Sequence, residues 1–353
     1  MGLTRPRPRS TIALQSGRLT SGSFRGADLR ILVTGVAGFI GFHCARAFAA
    51  RGDQVVGIDN LNAYYDVALK EARLAALAKV APGVVFRKAD IADREALRAA
   101  VGGERFDIVV HLAAQAGVRA SISHPHAYAE ANLTGHLNML EAFRHSDSLL
   151  HFVYASSSSV YGANRKLPFA EADRVDDPIS LYAATKRADE LMSEVYARLY
   201  GMPVTGLRFF TVYGPFGRPD MALWLFTDAV SRGEPVTLFN HGNMRRDFTY
   251  IDDVVRVVCA IASGPPINRS RSPHIYNIGN SRSENLRDLL AIIERSLGRK
   301  AKVVEAPMPP GDVPETHADL TWIKADYGYA PEISIDVGVP RFVEWYRDYL
   351  RSV

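Results

Sequence analysis

The chain has 353 residues, 47% hydrophobic and 23% charged, the make-up of a soluble globular protein with one large or two medium cores. Its formal charge of +4 is concentrated at one end: residues 1–27 hold five arginines (Arg5, Arg7, Arg9, Arg18, Arg25) and no acid, and removing these from the 42 basic residues leaves 37 against 38 acidic ones. That balance excludes a nucleic-acid surface as the source of the basicity, and no segment reaches the ~20 apolar residues of a membrane span.

Residues 1–27 are rich in Arg, Ser, Thr and Gly and lack a signal-peptide core, so a disordered basic tail is expected there. From residue 29 short β-branched runs alternate with longer helical ones. "RILVTG" reads as a buried strand and "FIGFHCARAFAARG" as a helix closed by Gly52. Between them "TGVAGFIG" has the spacing of a phosphate loop. Gly35 permits the tight turn, Gly38 lets backbone approach a pyrophosphate, and Gly41 lets helix pack on strand. The helix start, with Phe39 and Ile40, offers free N–H groups and a partial positive charge to phosphates.

The next strand, "QVVGID", ends in Asp59 and Asn60, about 20 residues on, where an acid meets the adenosine ribose. A carboxylate there repels a 2′-phosphate, so NAD is expected over NADP. The helical "DVALKEARLAALAKV" leads to the strand "VVFRKAD", whose Asp90 and Ile91 fall at the adenine end or form a strand-end turn. The helix "DREALRAAV" leads to the strand "FDIVVHLAA", which carries Ala113, and a helix is expected around 126–145 before the strand "LHFVYASS". Such alternation implies parallel βαβ units in a doubly wound α/β sheet.

"YASSSSVYG" places four serines, poor strand or helix filler, at a strand end where ligands bind in such sheets. In "SLYAATKRADELM", Tyr182 and Lys186 stand four apart on one helix face. A nearby ammonium favours a phenolate and makes the tyrosine a usable base. Beyond residue 208 the pattern is less regular: short strands "PVTLF" and "HIYNIG", Pro/Gly loops and a helix near "PRFVEWYRDYL" suggest a smaller mixed lobe interleaved with the large one. Cys44 and Cys259 sit in apolar helical patterns without metal spacing; reduced thiols in a cytoplasmic protein, and no metal, are expected.

Together TGxxGxxG, the serine strand, YxxxK and "RRDFTYIDDVV" resemble the extended short-chain dehydrogenase/reductase family over residues 29–350. Longer segments resemble its UDP-glucuronate 4-epimerases: "VVGIDNLNAYYDVALKEARL", "HLAAQAGVRASI", "ANLTGHLNMLEA", "LPFAEADRVDDPISLYAATK" and "LRFFTVYGPFGRPDMALWLF". The resemblance implies a Rossmann domain over residues 28–208 with tightly held NAD, a nucleotide-sugar lobe over 209–353, and often a homodimer built through helices. It makes Tyr182 the general base and Lys186 its ribose-bound partner, both at the cofactor, with Phe209 also in the cofactor pocket. Ser157 would bond the reacting sugar oxygen, with Ser158 and Ser159 beside the substrate and Asn132 in a structural or cofactor-pocket role. Arg246 would grip the diphosphate and Asp312 would lie in a loop closing over the nucleotide, while Arg245 reads as a surface charge.

Thr211 and Arg218, on the loop "FFTVYGPFGRPDM", match positions that face a sugar carboxylate. Oxidising C4 of a glucuronic acid gives a β-keto acid, which loses CO₂ readily. A bidentate arginine and a hydroxyl that hold the carboxylate restrain the rotation that cleavage needs. Two relatives diverge here. Nucleotide-sugar 4,6-dehydratases need an Asp–Glu pair after the catalytic hydroxyl residue, and decarboxylating synthases a glutamate before "VYG"; this chain has Ser158 and Ser159 there. A UDP-glucose 4-epimerase is the nearest alternative, and the complete Ser–Tyr–Lys set argues against a silent NAD-sensing module.

Overall fold

The computed structural model describes residues 28–264 and 274–352; the basic tail expected over 1–27 lies outside the described residues. The first half runs β1 (Arg30–Thr34), α1 (Phe39–Ala50), β2 (Gln54–Asp59), α2 (Val67–Val80), β3 (Val85–Lys88), α3 (Arg94–Val101), β4 (Ile108–His111) and two short helices, α4 (Ala120–Ser123) and α5 (Pro125–Tyr128). A π-helical stretch (Ala129–Thr134) then leads into α6 (Gly135–Phe143), β5 (His151–Ser157), a 3₁₀ turn (Ser158–Tyr161), α7 (Leu181–Tyr200) and β6 (Val204–Phe209). The rest comprises β7 (Thr211–Tyr213), α8 (Ala222–Arg232), β8 (Pro235–Phe239), β9 (Arg245–Tyr250), α9 (Ile251–Ala262), β10 (Ile275–Ile278), β11 (Ser283–Asn285), α10 (Leu286–Leu297), β12 (Lys302–Ala306), α11 (Thr321–Tyr327) and α12 (Ile335–Ser352).

Seven strands form one parallel sheet in the order β10-β6-β5-β4-β1-β2-β3. Its inner strands are apolar on both faces, as in Ile31, Leu32 and Val33, because helices cover both sides. One apolar cluster joins α1, α9 and the sheet to the second lobe; the other packs α3 and α6 on the opposite face. The chain reverses direction across the sheet between β1 and β4. The crevice beyond the strand ends at such a reversal is where ligands bind. Local signals fix the helix limits: Asp93 accepts bonds from Glu95 N and Ala96 N at the start of α3, and Gly102 and Gly201 close α3 and α7 in left-handed backbone.

One expectation needs correction. "HIYNIG" does not belong to the smaller lobe: its four residues Ile275–Ile278 pair in parallel with β6 at the edge of the main sheet, all four buried. The helix expected over 126–145 is present from Pro125 to Phe143, helical backbone running without a break through α5, the π stretch and α6. The smaller lobe holds a three-stranded sheet, β11-β9-β7, and a parallel pair, β12-β8. Among the described residues no helix is long and apolar enough to cross a membrane.

Candidate active site

All the residues picked out for cofactor and substrate line one cavity of about 1030 Å³ between the sheet and the smaller lobe, with the exception of Asn132. At one end lies the turn after β1. A Cβ on Gly41 would stand 2.1 Å from Gly35 O, and one on Gly38 2.9 Å from the same oxygen. Gly35 itself has φ +73°, and a Cβ there would stand 2.8 Å from Ala113 N. No side chain caps α1, so its first N–H groups, at Phe39 and Ile40, face the cavity. Asp59 is buried and fixed by Ala37 N at 3.1 Å and Leu61 N at 2.9 Å, which aims its carboxylate at the cavity. Asn60 Nδ2 donates to Asp90 Oδ2 at 2.8 Å, joining the second and third strand ends, while Asp90 Oδ1 accepts from Ala92 N at 2.8 Å. Asp90 is thus both cavity wall and strand-end turn. Ile91 and Phe209 complete the apolar wall. These residues fit a dinucleotide: a close-approach glycine turn, an uncapped helix start and a ribose carboxylate.

Asn132 has a supporting part. It accepts from Gln115 N (2.8 Å) and donates to Gln115 O (3.0 Å) and Thr185 Oγ1 (2.9 Å), fixing the β4 loop to α7.

Ser157 ends β5, and its Oγ accepts from Ser159 N at 3.2 Å, which turns Ser157, Ser158 and Ser159 along the cavity wall. Ser156 is different: it donates to the buried Glu190 at 2.6 Å and braces the Glu190–Arg208 pair. Ser180 caps α7 through Ala183 N, which puts Tyr182 in the first turn, edge-on to Tyr128 at 6.0 Å between ring centres. One turn on, the Lys186 ammonium donates to Ala155 O at 3.0 Å and to Asp189 at 2.9 Å.

The same cavity is lined by Thr211, at the start of β7, and by Arg218. Arg218 meets Asp220 through two hydrogen bonds, Nε to Oδ1 at 3.0 Å and Nη2 to Oδ2 at 2.6 Å, and Tyr64 donates to Asp220 at 3.0 Å. Burial works against the Arg218 charge, and the Asp220 carboxylate more than restores it, so its pKa stands above the ordinary arginine value. The sequence reading pictured this guanidinium as waiting for an external anion. One of its edges is already held inside the protein, and Nη1, on the other, makes no hydrogen bond among the described residues.

The loop that carries Arg218 is itself held from below. Phe216 has φ 60°, a costly backbone for a bulky residue, and its ring lies against Phe42 at 4.8 Å and Trp345 at 4.9 Å. Buried Arg73, on α2, spends all its N–H groups here. Nε and Nη2 reach Phe216 O (3.1 and 2.8 Å), Nη2 reaches Gly217 O (3.2 Å), and Nη1 reaches Ala37 O (2.9 Å) and Tyr65 OH (2.7 Å). One side chain thus joins the phosphate turn to the arginine loop. Arg73→Lys keeps the charge but cannot reach these separated acceptors, and should cost about 2–3 kcal/mol in urea unfolding; an unchanged midpoint would show the contacts to be incidental.

At the far end Arg246 Nη2 pairs with Asp312 at 2.6 Å, and Arg119 approaches the same carboxylate at 3.7 Å. Arg119 also lies 4.3 Å over the Phe239 ring, presenting a cation and an aromatic face together. Burial lowers the Arg246 pKa, and Asp312 works against this. Arg245, as expected, is an exposed cation, bonded near Ser283 and Glu315. Sequence reasoning missed Arg73, Tyr64, Asp220, Arg119 and Asp189. For Arg73, Tyr64 and Arg119 the partner is distant in sequence; Asp220 and Asp189 stood in plain view, two residues after Arg218 and three after Lys186.

A doubly wound sheet whose dinucleotide cradle shares one cavity with serine, tyrosine and lysine is the architecture of the extended short-chain dehydrogenases and reductases. Residues 31–279 match the NAD dependent epimerase/dehydratase family, and the chain belongs to that family. Over 339 residues it is 45% identical to a probable UDP-glucuronate 4-epimerase of Rhizobium meliloti, covering 92% of this chain and 99% of that one. The crystal structure of UDP-glucuronic acid 4-epimerase from Bacillus cereus with UDP-glucuronic acid and NAD superposes with a TM-score of 0.82 at 31% identity, covering 91% of this chain and all of that one (100%). A UDP-glucose 4-epimerase of Thermotoga maritima with UDP-glucose gives 0.80 at 31%, covering 91% and 100%. Shape alone therefore does not separate an acidic from a neutral sugar.

Proposed function

We propose that the protein is a UDP-glucuronate 4-epimerase, converting UDP-glucuronate to UDP-galacturonate through a transient 4-keto sugar. NAD held in the cradle supplies the chemistry by accepting the C4 hydride and returning it, so no net oxidation occurs. Tyr182 takes the proton of the 4-hydroxyl as its C4 is oxidised, Ser157 holds that oxygen, and Lys186 stands beside the phenol and the ribose. Ser158 and Ser159 border the sugar, and Arg246, Arg119 and Asp312 border the diphosphate. The division into a cofactor domain over 28–208 and a sugar lobe over 209–353 belongs to the same reading, with β10 crossing back into the first.

The observation that carries the choice of an acidic sugar is Arg218, which with Thr211 lines the same cavity as Ser157 and Tyr182. A neutral hydroxymethyl sugar offers no anion to the part of the guanidinium that Asp220 leaves open. Asp220 holds the Nε/Nη2 edge and leaves Nη1 for the sugar carboxylate, so the cation is aimed before substrate arrives. Purified protein incubated with UDP-glucuronate should form UDP-galacturonate without CO₂, followed by NMR of C4 stereochemistry. Accumulation of a UDP-pentose would refute the reading, and exclusive turnover of UDP-glucose would favour the neutral 4-epimerase.

The reading extends to a cytoplasmic homodimer. Leu191, Val195 and Leu199 on α7 are 48%, 48% and 70% exposed at spacings of four, with Leu137 of α6 exposed beside them. Such a stripe suits a second copy of the same helices. Val195→Glu with Leu199→Glu should convert a dimer to a monomer in sedimentation. A wild-type chain that sediments as a monomer counts against it.

A further inference from the structure

We propose that Asp189 is a positioning residue that fixes the Lys186 ammonium and offsets its charge, and so sets how Tyr182 responds to pH. The proposal rests on the roles given above to Tyr182 and Lys186.

Asp189 is fully buried on the inner face of α7. Its Oδ2 lies 2.9 Å from Lys186 Nζ, which also donates to Ala155 O at 3.0 Å. An ammonium has three N–H groups, so two are committed and the third is left for the cavity. A buried carboxylate normally gathers donors on both oxygens, yet Asp189 Oδ1 has no hydrogen-bond partner among the described residues. Lys186 is the cation that pairs with it. On its own helix the other charged neighbour is Glu190, itself tied to Arg208. From β5 it faces Tyr154, and from α6 His136, which lies against its backbone and bonds Ser193 Oγ at 2.8 Å. From β4, His111 stacks on His136 at 5.3 Å. Burial keeps both imidazoles neutral, lowering His111 to about 3 and His136 well below its ordinary value.

Burial raises the Asp189 carboxyl to about 6, with Lys186 working against the rise and Glu190 adding to it. The sign of the effect follows. Above that range Asp189 is anionic and offsets the Lys186 charge felt by the phenol. Below it the acid is neutral and the ammonium acts undiminished. Removing the Asp189 charge by substitution therefore strengthens the pull of the ammonium on the phenol one turn away and favours its phenolate.

The test compares wild type with Asp189→Asn, whose amide oxygen keeps a bond from Lys186 while the charge is lost. Two readouts are taken across pH: tyrosinate absorbance, isolated by difference against Tyr182→Phe, and kcat/KM. The acid limb of D189N should lie about half a pH unit or more below that of wild type in both readouts. Curves that overlay those of wild type overturn the proposal, as does a D189N loss of rate equal at every pH. If D189N does not fold by circular dichroism, Asp189→Ser takes its place, and curves that overlay those of wild type refute the proposal. Failure to turn over any UDP-uronate would remove the functional reading but leave the tyrosinate titration as a test of the pair.

Discussion

Tyr182→Phe should give a folded protein that keeps its NAD yet turns over UDP-glucuronate about 10³-fold more slowly, within the range general-base catalysis contributes. The ring sits in the first turn of α7, edge-on to Tyr128, and no hydrogen bond of its hydroxyl to another described residue supports the fold. Removing that oxygen leaves the packing of the ring and the cradle around Gly35, Gly38 and Gly41 in place. Bound cofactor, measured after acid release, should therefore be unchanged while both oxidation and re-reduction of the sugar slow together. A variant with near-normal kcat would remove Tyr182 as the base.

Arg218→Met should do something different in kind. A charge-assisted hydrogen bond contributes about 1.5–3 kcal/mol, so UDP-glucuronate turnover should fall roughly 10- to 150-fold. With its carboxylate free to rotate in line with the ketone, part of the oxidised sugar should lose CO₂ and leave as a UDP-4-keto-pentose, its hydride retained as NADH. The single variant also strands Asp220, whose carboxyl is kept below its ordinary pKa against burial by Arg218. Arg218→Met with Asp220→Asn removes that second fault, and the pentose should persist in the double variant. Its absence from both would show that the arginine only staples the loop. Activity on UDP-glucose should change little, which separates loss of carboxylate control from general damage.

The readable parts of this molecule are those in which chemistry and chain spacing coincide. TGVAGFIG announces its cradle because the approach of Gly41 to Gly35 O excludes a side chain, and Tyr182 and Lys186 share a helix face by their spacing alone. Arg73 was hidden because its acceptors at Phe216 lie 143 residues away in the chain. Asp220 was hidden for a different reason: two residues from Arg218, it looks like an ordinary loop acid until the geometry shows both oxygens on the guanidinium and a hydroxyl from Tyr64 behind them. β10 misled because four buried residues with no period between two irregular segments fit either sheet.

The Arg73 clasp bears on attempts to redesign specificity. The segment from Phe209 to Met221 resembles a module that could be transplanted into another family member to confer acceptance of uronates. Its left-handed Phe216 depends on a guanidinium from α2 and on rings from α1 and α12, so a recipient lacking those donors would inherit the letters without the conformation. Successful exchange would have to carry this scattered foundation along with the visible loop.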